Sequence, residues 1–426
     1  MQNRRAFLRN VALASAAAAG TSSNVLGANE QVTLGLIGAR GRGKAVALGA
    51  IRAGAIIKTV CDVDRAVLDQ AAPQLGKAQG RAPDRAGDFR RLLEDKDLDG
   101  VIVATPDHWH THITLLACQA GKDVYVEKPL SQTIREGQLI RDAARKYRRV
   151  VQVGLQRRSG EHFHAAAEYA AAGKLGKLCL IKCWICQVRG SIGNPPDCPP
   201  PPTVNYDAWL GPAPKRPFNP NRFHYKWRFF WDYGNAEIGN QGVHAFDVAM
   251  MAIEKMRGAK RSLPGRVSNT SGIYWLHDAK EVPDTQLTSY DYGDFMLVWE
   301  LRSFAKHHPL EQESFGVAFY GTDAALVIGN KGWRVFDKNN RAAESMSPAP
   351  MAHQKNFLDC IKSRKRPNAD VEIGRRSTAL CHLGNIADHL GRDVRFDPAT
   401  ETFGDDAAAN ALLTKSYRAE YPLPKV

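Results

Sequence analysis

An apolar run of strand length, Val32-Thr-Leu-Gly-Leu-Ile-Gly38, breaks at glycine, and glycines recur at 41 and 43 before a helical pattern opens near Lys44. A buried strand turning tightly into a helix is the first half of a βαβ unit. The alternation then continues. Ala55–Cys61 reads as a strand ending at Asp62, and Asp99–Ala104 as one ending at Thr105-Pro106. Asp123–Val126 is another, and Val150–Val153 follows a helix over Ile134–Tyr147. Strands alternating with helices imply a parallel, doubly wound α/β sheet of the Rossmann dinucleotide-binding type. Right-handed crossovers place the C-terminal ends of the strands on one edge, where ligands bind.

After Gly154 the pattern changes. Strand-like runs now alternate apolar and polar residues over Cys179–Val188, Ile273–Leu276, Phe295–Leu301 and Ser314–Tyr320. Between the first two lies a stretch rich in proline and aromatic residues, Asn194–Gly234, too aromatic for a flexible linker and suited to wrapping a cleft. Helical patterns return over His353–Ile361 and Ser377–Leu390. The expectation is a Rossmann domain over 31–154 and an α+β domain over 155–426, its open-faced sheet mostly antiparallel.

The first residues belong to neither domain. Asn3-Arg4-Arg5-Ala6-Phe7-Leu8-Arg9 sets an arginine pair before an apolar pair, the twin-arginine arrangement of bacterial export signals. The alanine-rich run from Val11 to Gly20 is too short to span a bilayer, and small residues near Gly27-Ala28 offer a cleavage point. Residues 1–28 are therefore expected to be a signal that directs a folded protein to the periplasm, leaving a mature chain with no membrane span. The net charge of +14 is spread along the chain, with one tight triplet at Arg364-Lys365-Arg366 and no recognised nucleic-acid motif, so no nucleic-acid partner is expected. Among eight cysteines, Cys183 and Cys186 lie three apart in a strand-like run and so face opposite sides. With no second pair, they make neither a zinc site nor a disulfide framework.

The chemistry gathers on the ligand edge. Gly38-Ala-Arg40-Gly41-Arg42-Gly43 occupies the place of a G-x-G-x-x-G turn, with Arg40 where the middle glycine would stand. Arg40 either shifts the diphosphate or pairs its guanidinium with it. Asp62 falls nineteen residues beyond Gly43 at the end of the next strand, where a carboxylate accepts the adenosine ribose hydroxyls. That carboxylate disfavours a 2′-phosphate, so NAD is expected over NADP. Thr105-Pro106-Asp-His108-Trp-His110-Thr-His112 follows a strand on the same edge. On a helix, His108 and His112 share a face and His110 points elsewhere, with no carboxylate to join them. A metal is not expected there, and contacts to the nicotinamide half of the cofactor are. In Glu127-Lys128-Pro129, proline biases Lys128 to an extended backbone that aims it across the strand ends. A desolvated lysine there can take up or stabilise charge at a reacting hydroxyl. Gln156, beyond the last strand, completes the expected cofactor set.

These pieces, together with Gly239-Asn-Gln-Gly-Val-His244-Ala-Phe-Asp247, resemble the glucose-fructose oxidoreductase, inositol dehydrogenase and rhizopine catabolism (Gfo/Idh/MocA) family. The resemblance covers about Val32 to Leu390. It implies bound NAD(P), sugar or cyclitol chemistry, and homo-oligomers, dimers or tetramers, through the open sheet. It assigns Lys128 as the catalytic lysine and His244 as general acid/base or substrate ligand. Many sugar dehydrogenases of the family carry aspartate four residues before that histidine; here it is Asn240, which cannot take a proton. Asp247, one turn beyond, either orients His244 or is structural. Tyr206–Pro212 and Asn219–Arg228 resemble an exported branch of the family, in which Arg222, His224, Tyr225, Trp227 and Arg228 would face the substrate together with Arg157. Rings suit sugar faces, and Arg and His suit hydroxyls or carboxylates. That branch includes NAD-dependent glycosidases.

Three readings follow. The first is an exported NAD-dependent oxidoreductase acting on a hydroxyl of a sugar, sugar acid or cyclitol. The second is a redox-neutral glycosidase that oxidises, eliminates and re-reduces on one NAD. The third is a non-catalytic sugar- or cofactor-binding protein. Scarcity of soluble NAD outside the cytoplasm favours a cofactor that stays bound.

Overall fold

Side chains in Thr33–Ile37 (β1), Gly100–Val103 (β4) and Asp123–Val126 (β5) are almost all buried on both faces, as central strands of a helix-covered parallel sheet require. Burying a residue such as Leu34 or Leu36, both fully enclosed, contributes about 1.5–3 kcal/mol. With Ile56–Cys61 (β2), Asp84–Ala86 (β3) and Val151–Val153 (β6) they form a six-stranded parallel sheet in the order β3-β2-β1-β4-β5-β6. The order reverses between β1 and β4, and the crevice at that switch point is where a dinucleotide sits. The computed structural model describes residues 31–306, 308 and 313–426, so the export signal read over 1–28 lies outside the described residues.

Helices Gly41–Arg52 (α1), Arg65–Gln79 (α2), Asp107–Gln119 (α3) and Ile134–Lys146 (α4) cover the sheet. The first starts at Gly41, not near Lys44, so Gly41, Arg42 and Gly43 form its first turn. Asp64 caps α2 by accepting from Ala66 N, as its type favours.

The second domain is a nine-stranded sheet. Its strands are Leu178–Cys186 (β7), Arg266–Gly272 (β8), Thr285–Asp291 (β9), Met296–Arg302 (β10), Phe315–Gly321 (β11), Ala324–Gly329 (β12), Gly332–Asp337 (β13), Ala342–Met346 (β14) and Val394–Arg395 (β15). All neighbours pair antiparallel except β7 and β10. The strand expected over Ile273–Leu276 is a loop held by Asp284, whose carboxylate accepts from the Tyr274 and Trp275 amides. Glu161–Ala171 (α5) and Val243–Arg257 (α6) pack on one face of this sheet. On strands β9 and β10, the other face leaves Leu287 and Met296 exposed.

The domains interlock beyond the boundary at 154. His353–Ser363 (α7) packs on α1, and Val371–Leu390 (α8) packs on α4. The proline-rich stretch crosses the other way: Arg65 N donates to Thr203 O and Asn205 N to Val63 O, both at 2.9 Å. It thus straps the ends of β2 and α2.

Candidate functional site

The strand ends and the strap enclose one cleft of about 850 Å³. Gly38, Arg40, Gly41, Arg42, Asp62, Thr105, Pro106, His110, Glu127, Lys128, His224, Tyr225, Trp227, Arg228 and Asn240 all line it, so most of the expected set converges. The dinucleotide half is shaped for close approach. Gly38 has φ +87°, and a Cβ on Gly43 would stand 1.8 Å from Gly38 O, so both positions demand glycine. Gly41 opens onto free space. Arg40 makes no ion pair or side-chain hydrogen bond among the described residues, which leaves its guanidinium available to a diphosphate. Asp62 accepts from Ala39 N at 2.8 Å and Asp64 N at 3.0 Å, tying the turn to the end of β2, and burial raises its pKa. Arg42 is committed elsewhere: its Nε donates to Glu127 Oε1 at 2.6 Å.

At the opposite end, Lys128 Nζ donates to Asn240 O at 2.7 Å and to Asn240 Oδ1 at 3.0 Å. Asn240 sits in a π-helical turn, Ile238–Gly242, a geometry that recurs at functional sites. Its Nδ2 donates to Glu237 Oε2 at 3.0 Å, and its Oδ1 also accepts from Arg228 Nη1 at 3.0 Å. Burial holds the lysine's pKa below its ordinary value, with Glu127 opposing and Arg228 reinforcing. The Lys128–Pro129 peptide is cis.

Several expected residues lie elsewhere. His108 is turned from the cleft into a ring cluster of Trp109, Trp209 and Tyr233. Its Nε2 meets Trp209 O at 2.9 Å, and burial pushes its pKa down to about 3. His110 is on the wall, but both its nitrogens face carbonyls, of Pro129 and Thr105. Gln156 donates to Tyr125 Oη instead of reaching the cleft. Arg157 lies off the cleft wall with its guanidinium 3.8 Å over the Phe315 ring, and Arg222 pins the strap through Asp197 and the Pro217 carbonyl. Asp247 does not orient His244. It accepts from Arg158 Nε and Ser377 Oγ, each at 2.8 Å, in a buried structural network. His244 is off the cleft wall and makes no hydrogen bond to Lys128 among the described residues. Its Nδ1 is buried and unpartnered, and burial, with Arg157 and Lys128 nearby, keeps its pKa well below the usual value. His224 lines the cleft at the dinucleotide end, 3.2 Å from Asp64 and not beside Lys128.

Other residues complete the site. Arg189 Nε pairs with Glu237 at 2.8 Å, and Gln187 donates to the same carboxylate. Burial alone would raise the Glu237 pKa, but Arg189 together with the hydrogen bonds from Asn240 and Gln187 holds it below its ordinary value. Asp107, in the first turn of α3, accepts from Asn235 Nδ2 at 2.9 Å, and burial raises its pKa. Gln187 lies at the end of an expected strand and Arg189 directly follows it, and Glu237 precedes Asn240 by three residues, which were the available signals.

The NAD-binding Rossmann model of the oxidoreductase family matches 32–155, and that family's C-terminal alpha/beta domain model matches 184–267 and 321–423. Levoglucosan dehydrogenase of Pseudarthrobacter phenanthrenivorans is 31% identical over 117 residues, 27% of this chain and 30% of that protein. A glycosyl hydrolase family 109 protein of Saccharopolyspora erythraea is 38% identical over 127 residues, 29% of this chain and 28% of that protein. These alignments span under a third of each curated relative. Among solved structures, levoglucosan dehydrogenase in complex with NADH and levoglucosan superposes with TM-score 0.63 at 18% identity, covering 86% of this chain and 99% of that one. The WlbA dehydrogenase of Bordetella pertussis, in complex with NADH and UDP-GlcNAcA, gives the same TM-score, identity and coverage. With both domain models matched in order and the cleft built at their junction, the chain belongs to the Gfo/Idh/MocA oxidoreductase family.

Proposed function

We propose that this protein is an NAD-dependent oxidoreductase that acts on a hydroxyl of a sugar, sugar acid or cyclitol, with Lys128 as the proton acceptor. The glycine turn fits the cofactor, because only glycine can stand at 38 and 43, and Arg40 and Asp62 face the same space. NAD, when bound, supplies the hydride acceptor. The observation that carries the proton step is the pairing of Lys128 with Asn240. A neutral amine has two hydrogens, and Asn240 accepts both. The lone pair is then left for the hydroxyl proton, and burial favours that neutral form. Asn240, which cannot titrate, aims the amine, while Glu237 holds the amide through Nδ2.

A second reading is redox-neutral glycoside cleavage. It draws support from the family 109 relatives and from the strap over the cofactor end, which suits NAD that is not exchanged. One experiment separates the two. The purified protein is assayed for co-purified NAD, then given free sugars and aryl glycosides without added cofactor. NADH accumulating with a free sugar supports the first reading. Aglycone release without net NADH supports the second. If Lys128→Ala and His244→Ala change neither, both catalytic readings fail.

Export by the twin-arginine route to the periplasm is part of this proposal, on the strength of Arg4-Arg5 and the apolar run behind them. So is a homo-oligomer formed through the exposed face of the nine-stranded sheet. No helix among the described residues is long and apolar enough to cross a membrane.

A further inference from the structure

Two arginines of this cleft are paired with carboxylates. Arg42 has Glu127 and Arg189 has Glu237. Arg228 has no carboxylate within ion-pair distance among the described residues. Its Nε donates to Tyr225 O at 2.8 Å and its Nη1 to Asn240 Oδ1 at 3.0 Å, and Nη2 has no hydrogen-bond partner among the described residues. The guanidinium lies 4.0 Å over the Tyr225 ring and 5.1 Å from the centroid of Trp227. Arg189 Nη1 in turn donates to Tyr225 Oη at 2.6 Å, so the ring beneath Arg228 is itself pinned. The fork is thus stacked and oriented, with a second nitrogen, Lys128 Nζ, sharing the same Asn240 oxygen.

Arg228 is half-buried on the cleft wall, so an oxyanion that completes its fork gains a charge-assisted, two-point pair. Burial lowers the Arg228 pKa, as expected where no carboxylate compensates in full. Neutral hydroxyls need no such arrangement; one amide or one already paired arginine would serve. A planar carboxylate matches the edge formed by Nη1 and Nη2.

We infer that Arg228 is the docking group for an anionic substrate, a sugar acid whose carboxylate bonds its Nη1–Nη2 edge while a nearby hydroxyl meets Lys128. This rests on the oxidoreductase reading of the site and narrows its substrate class. Because Arg228 and Lys128 converge on one oxygen of Asn240, the reacting carbon would lie within a few bonds of the carboxylate.

The test uses the full mature protein with its bound NAD, and thermal shift as the first readout. The probes are D-glucuronate, D-galacturonate and D-gluconate against D-glucose, D-galactose and D-glucuronamide, with a sulfated galactose as a second oxyanion. The expected result is stabilisation by at least one carboxylate and not by its neutral counterpart. Arg228→Gln, with unchanged melting temperature and NAD content, should weaken that carboxylate by about tenfold to a hundredfold. Arg228→Lys should recover only part of the loss, since an ammonium lacks the fork. Stabilisation by the sulfated sugar alone, by neutral sugars equally, or by no probe overturns the inference. So does a carboxylate response that survives Arg228→Gln. A neutral sugar that reduces the bound NAD would sink this inference while leaving the oxidoreductase reading intact.

Discussion

Lys128 and Asn240 form a two-point contact, in which one amine nitrogen meets both the backbone carbonyl and the side-chain oxygen of a single residue at 2.7 and 3.0 Å. It joins the ligand edge of the Rossmann domain to the π-turn of the second domain. His244, expected to act with Lys128, makes no hydrogen bond to it among the described residues; Asn240 does.

Removing the amine separates chemistry from folding. Lys128→Met should lower kcat by roughly a hundredfold to ten-thousandfold, the usual worth of a positioned proton acceptor. The folded lysine has a pKa below its unfolded value, so at neutral pH it opposes folding, and that cost fades only as pH rises towards the unfolded pKa. The variant should therefore melt at or above the parent temperature, measured by calorimetry at neutral pH, while still carrying NAD.

The rate should rise with pH until Lys128 is neutral, then level off. Asn240→Asp adds an anion against the amine, raises its pKa, and should move that limb about one pH unit higher or more. Asp107→Asn removes an anion whose charge favours the protonated lysine, and should move the limb the other way. The pH dependence of kcat/KM for the two variants provides the measurement, and shifts in one common direction contradict the assignment.

Gly43→Ala brings a Cβ against Gly38 O, a backbone atom that cannot swing aside. A loss of about 1–3 kcal/mol or more in stability is expected, together with loss of NAD from the purified protein. Gly41→Ala, which meets open space, should cost far less stability. Chemical denaturation of both variants makes the comparison.

The strap predicts a kinetic effect. Asn205→Pro deletes the N–H that donates to Val63 O and should release NAD about tenfold faster, read by following cofactor fluorescence after dilution. An unchanged release rate would mean that the strap does not gate the cofactor.

Much of this site is legible in the chain because its Rossmann part is local. Gly38 and Asp62 directly follow a strand, Thr105 and Lys128 stand two residues beyond one, and Gly43 opens the helix after β1; a parallel sheet brings all these strand ends to one edge without further information. The second domain is harder to read. Its short strands β12 to β15 have weak patterns, and Ile273–Leu276, apolar enough for a strand, is drawn into a loop by Asp284. His108 and Gln156 have plausible positions in sequence but turn elsewhere, one into a ring cluster and one onto Tyr125.

From sequence alone came the fold of the first domain, its cofactor class and the lysine, since hydrophobic period and turn chemistry act over a few residues. Tertiary structure decided which groups meet that lysine. Asn240 and Arg228 come from the second domain, 112 and 100 positions further along, and Glu237 and Arg189 reach the same cluster through hydrogen bonds that no spacing encodes. Side-chain packing across two domains set Asn240 against the lysine and left Arg228 without a carboxylate partner among the described residues, and that arrangement shapes the site.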